Sequence, residues 1–101
     1  MESEATLIEY ELRREKDLLG RLSSCTPDFP WMYCKFEAAA AFAELKPLFD
    51  DELRLLNEED MDAWEEAYEK IRALKLQLVS GENEISEFLL HVDGDKAWFR
   101  Y

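Results

Sequence analysis

Glycine is scarce in this chain: only Gly20, Gly81 and Gly94 occur, and none stands in a G-x-G-x-x-G or P-loop context. Backbone N–H groups cradle a phosphate where several glycines leave room for close approach, so nucleotide binding of that kind is not expected. Histidine is scarcer still. His91 stands far along the chain from Cys25 and Cys34, and no pair of these residues has zinc-ligand spacing. A helical di-iron site needs two Glu-x-x-His motifs, and a calcium loop needs oxygens at fixed offsets around a glycine; the chain has neither. Asp93-Gly94-Asp95 is too short to be more than a turn. Cys34, His91 and an acid could in principle form a nucleophile, base and orienter, but nothing in the sequence brings them together. No G-x-S-x-G motif occurs. The expectations are therefore no catalytic residue, no cofactor and no metal.

Other absences bear on location. There is no run of eighteen apolar residues, no secretory apolar stretch after Met1 and no Arg-rich leader, which points to a cytoplasmic protein without membrane anchorage. Cys34 falls in an apolar stretch and reads as a small buried hydrophobe in a reducing compartment, in preference to a redox or disulfide role.

Cations are few: 12 Lys and Arg against 24 Asp and Glu give a net charge of −12. Such a chain repels nucleic acid and anionic lipid, which bind through neutralisation of phosphate. The imbalance is concentrated. Between Asp50 and Glu69 ten carboxylates face one cation, Arg54, so twenty residues carry net −9. What is abundant is apolar residues, 48% of the 101, with 13% aromatic, enough for the core of one domain spanning 1–101.

The periodicity predicts an amphipathic helix from Glu4 to Leu22, with Ala5, Ile8, Leu12, Leu18, Leu19 and Leu22 on one face and a ladder of Glu9, Arg13, Asp17 and Arg21 on the other. Ser23 to Pro30 read as a loop, and Trp31 to Glu37, rich in aromatics, as a strand. Phe42, Leu45, Phe49, Leu53 and Leu56 stay in helical phase across Pro47, which suits the first turn of a helix starting near Glu44. The alternative is a kinked helix from Ala39. Asn57 and the acids after it predict a third helix, whose apolar stripe is Met61, Trp64, Tyr68 and Ile71. A short strand at Leu76 to Leu78 and a turn at Ser80 to Asn83 follow. Ile85 to Val92 and Lys96 to Tyr101 flank Asp93-Gly94, a hairpin composition that sets Glu87 opposite Arg100 and Leu89 opposite Trp98. A four-residue loop would instead set His91 opposite Trp98. The layout is α+β in the order α-β-α-α-β-β-β, with a mostly antiparallel sheet and helices on one face.

Two surfaces are candidates for function. In the third helix Glu58, Asp62, Glu65 and Glu69 share the face opposite the apolar stripe, flanked by Asp50 and Asp51. Their like-charge pairs go largely unrelieved, and such a strip either keeps the protein soluble or docks on a basic protein partner, where charge speeds encounter. The second surface is aromatic: Trp31, Leu89 and Trp98 on the open sheet face would serve self-association as a homodimer or another partner. The expected function is a non-enzymatic acidic binding module of inhibitor or immunity type. Its competitors are a small ligand-binding or enzymatic domain with a pocket lined by Trp31, Tyr33, Trp64 and Trp98, and a structural subunit.

Overall fold

The computed structural model describes residues 9–101. Ala5 and Ile8, where the expected first helix begins, lie outside them. The chain is α+β: strands β1 (Tyr10–Arg14), β2 (Asp17–Asp28) and β3 (Trp31–Ala38), a 3-10 turn (Ala40–Glu44), helices α1 (Lys46–Asn57) and α2 (Met61–Arg72), then strands β4 (Gln77–Ser80), β5 (Asn83–Ile85), β6 (Leu89–Asp93) and β7 (Lys96–Arg100). All seven strands form one antiparallel sheet in the order β5-β4-β1-β2-β3-β7-β6.

The first helix is corrected. Its described part is the β1–β2 hairpin, in which Tyr10 faces Leu22, Leu12 faces Gly20 and Arg14 faces Asp17. The Arg13 and Arg21 of the expected ladder meet instead on Glu11, at 2.6 and 3.0 Å. The Arg13 hydrogen bond, helped by both positive charges, holds the Glu11 carboxyl below the usual carboxylate range. Gly20 is where backbone meets core: a Cβ there would lie 2.5 Å from Phe36 Cζ, so no larger residue fits without displacing that buried ring.

The cysteine expectation is corrected too. Cys25 and Cys34 form a disulfide joining β2 to β3, with their Cα atoms 4.1 Å apart. A shift in the β2–β3 register between Ser23 and Thr26, with Ser24 at φ 52°, sets Ser24 and Cys25 against Cys34, and this bulge aligns the two thiols. Disulfides persist in oxidising surroundings, which bears against the reducing compartment. Closing so short a loop stabilises by about 2.5 kcal/mol in the chain-entropy account. Cys25→Ala with Cys34→Ala, or dithiothreitol alone, should lower unfolding free energy in urea by about that amount.

The register sorts the sheet into two faces. Leu12, Leu22, Phe36, Cys34, Ala97, Phe99, Leu90 and Leu78 share the apolar face and are buried. The Tyr10 and Phe99 rings are 5.1 Å apart although β2 and β3 lie between their strands. In a flat sheet three strand spacings would separate them by about 14 Å, so the sheet curls around this face. Phe42 packs on Phe36 and Phe49 on Phe42, at 5.0 and 5.5 Å, seating the helix pair on the apolar face toward β6.

The helices follow their local signals. Pro47 occupies the first turn of α1, as expected. Asn57 belongs to the last turn of α1, not to the start of α2, whose cap is Asp60: its side chain accepts from Ala63 N at 3.3 Å. Between them Glu59 takes a left-handed φ of 60°, while Glu59 N donates to Leu56 O and Asp60 N to Leu55 O, the paired bonds of a Schellman ending. The C-terminal strands do not form a three-strand meander. The β4–β5 hairpin pairs with β1, and β7 pairs with β3. The final hairpin adopts the alternative register, His91 opposite Trp98, with Gly94 at φ 62° in a two-residue turn of Gly94 and Asp95.

Candidate functional site

The helix pair presents most of its acids to water, but not as the uncompensated strip the sequence suggests. Lys46 pairs with Asp50 at 2.6 Å, Arg54 with both Asp51 and Glu58 at 3.3 Å, and Arg72 with Glu69 at 2.6 Å and Glu65 at 4.0 Å. All are exposed pairs of small energetic worth. Five of the six expected contact residues thus have a cation beside them, and Asp62 alone of that set has no ion pair among the described residues. The relief comes from one or two turns away on the same helix, a spacing that a count of acids does not reveal. Asp62 and Glu66, one turn apart on α2, have no ion pair among the described residues, nor does Glu59 in the left-handed linker before the helix. Met61, expected on the apolar stripe, is 48% exposed at the start of α2. From Lys46 to Arg72 ten acidic residues still face four basic ones, net −6.

One acid points the other way. Glu52 is in phase with Leu45 and Phe49 on the inner stripe of α1 and is 0% exposed. Its carboxylate accepts from Trp64 Nε1 at 2.7 Å and meets His91 Nδ1 at 2.8 Å. His91 stands on the outer sheet face, yet is only 2% exposed. Trp31 and Trp98 flank its ring at 5.6 and 5.5 Å, and Glu52 closes over it from α1. Since Phe49 of the same helix packs into the apolar face, α1 straddles the β6 margin. One turn beyond Trp64, Tyr68 seals that margin: its hydroxyl accepts from Leu90 N at 2.7 Å and donates to Leu90 O at 3.4 Å. An otherwise bare strand edge is thereby closed to outside pairing.

The aromatic residues do share the outer face, since the register sets Leu89 beside Arg100 and Trp98 beside Tyr33. Leu89, Trp31 and Trp98 are half-buried, and the Arg100 guanidinium lies 5.6 Å over the Trp31 ring. Trp31, Tyr33, Trp64 and Trp98 do not line a pocket between sheet and helices. His91 and Glu52 fill the space between the tryptophans, and the Trp64 indole is committed to Glu52. Tyr33, 44% exposed, stacks on Trp98 at 6.3 Å above a shallow depression reached by Lys35 and Lys96.

Sequence reasoning missed Glu52, although the signal was present: a carboxylate in phase with an apolar helical stripe must find a buried partner. His91 was the one side chain able to supply an imidazole. Both groups are buried, and His91 lines none of three clefts formed by the described residues. Nor do three or more His, Cys, Asp or Glu side chains gather as a metal site among those residues. No described helix is long and apolar enough to cross a membrane. Compared with protein-family models, with curated proteins and with solved structures, the chain matches none.

Proposed function

We propose that this chain is a non-enzymatic binding module that docks the outer surface of α1 and α2 on a basic protein, as a small inhibitor or immunity-type protein would. The observation that carries the reading is that Asp62 and Glu66, one turn apart on α2, have no ion pair among the described residues, with the exposed Met61 at the start of the same helix. The charge speeds encounter and selects the partner, and the thioether supplies an apolar anchor. The centre of the surface moves accordingly from the six acids counted in the sequence to this pair, with Asp62 common to both.

The test is parallel capture from native extract with the wild type, with Asp62→Lys/Glu66→Lys, and with Tyr33→Ala on the sheet face. The expected result is one partner retained by the wild type and by Tyr33→Ala, released by salt, and associating at least about tenfold more slowly with the charge-reversed variant. Equal association by a folded Asp62→Lys/Glu66→Lys variant refutes the reading.

A further inference from the structure

Where α2 ends and the chain turns into β4, a cleft of about 510 Å3 opens between the last turn of the helix and the segment leading into β6. Its size lies within the range of small-molecule sites. Ile71, Leu76 and Leu90 form a buried floor and Phe88 a half-buried wall. Two cations, Arg72 and Lys75, stand at the rim with one carboxylate, Glu87; Glu69 and Glu65 already neutralise Arg72, so Lys75 supplies the available positive charge. Arg72 is engaged with Glu69 and lies 5.0 Å over the Tyr68 ring. Lys75 has no ion pair among the described residues and is exposed.

The backbone adds a second observation. Lys75 ends the α2 turn with a φ of 55°, a conformation that glycine adopts freely and a lysine adopts at a cost. The negative end of the helix opposes an anion less than it would bare, because Glu69 O, Ile71 O and Arg72 O accept from Ala73 N, Leu74 N and Lys75 N, and Lys75 offsets what remains.

We propose that this cleft binds an amphipathic anion, an acyl or aryl carboxylate, with its head at Lys75 and its apolar body on Ile71, Leu76 and Phe88. The site is separate from the acidic pair, and neither proposal depends on the other.

Calorimetric titration of the full chain with decanoate, below its micelle concentration, tests this against decyltrimethylammonium, which has the same tail and the opposite charge. Saturable binding of decanoate is expected, with the cationic analogue at least about tenfold weaker, since one charge-assisted contact is worth about a factor of ten or more. Lys75→Glu should weaken decanoate by a similar factor. Lys75→Gly relieves the left-handed φ, so its folding is secure, and it should show the same direction of loss. The proposal is overturned if decanoate does not bind, if both amphiphiles bind alike, or if Lys75→Gly binds decanoate as the wild type does.

Discussion

Glu52→Ala is expected to destabilise the protein by about 2–5 kcal/mol, since it leaves two hydrogen-bonding nitrogens without their acceptor at about 1–3 kcal/mol each. The substitution takes away a fully buried carboxylate and leaves both Trp64 Nε1 and His91 Nδ1 without their acceptor. His91, 2% exposed, cannot turn to water. The indole is stacked on Tyr68 at 5.3 Å, and the imidazole is held between Trp31 and Trp98. The same carboxylate fastens α1 to α2 and both to β6, so its loss loosens the margin where the helix pair meets the sheet. Replacing both members, Glu52→Leu with His91→Leu, removes the unpaired imidazole and should cost clearly less than the sum of the single changes. Urea unfolding of the four proteins gives the coupling. A Glu52→Ala loss below about 1 kcal/mol would mean that the network does not hold the helices.

The same network shows where the sequence was legible. Pro47 and the stripe of Phe42, Leu45, Phe49, Leu53 and Leu56 placed α1, and Met61, Trp64, Tyr68 and Ile71 placed α2, because each helix is organised by contacts three and four residues apart. Trp31 and its aromatic neighbours placed β3. The β1–β2 hairpin failed for a physical reason. Register shifts at Leu12/Arg13 and between Ser23 and Thr26 leave Leu19, Leu22 and Cys25 all buried at steps of three, which imitates a helix where a regular strand would step by two. The turn between those strands is Glu15-Lys16, with Glu15 at φ 57°, a composition that carries no glycine or asparagine signal. Strand order could not be read either, since the β1–β4 pairing spans most of the chain. The acids were visible and their partners were not: Arg54 sits near the start of the acidic stretch and Arg72 just beyond its end, yet each reaches two of its carboxylates.

Tyr68 provides the second large effect, and it depends on pH. Burial pushes its hydroxyl from 10.0 up to about 12, partly offset by the bond to Leu90. A phenol with a higher value in the folded state keeps its proton there after the unfolded chain has lost it. Its stabilising share is complete below pH 10 and falls as pH rises from about 10 to about 12, a loss of roughly 2 to 3 kcal/mol. Tyr68→Phe should remove this part of the alkaline slope. At neutral pH the variant should already be less stable by about 1–3 kcal/mol, because Leu90 N, buried against α2, loses the oxygen that accepts its hydrogen bond. Unfolding free energies of both proteins at pH 7, 10 and 11.5 separate the two effects, with lysine titration common to both and cancelling in the difference. The gap should be widest at pH 7 and narrow by pH 11.5. A constant gap would show that burial does not raise the Tyr68 hydroxyl above its unfolded value.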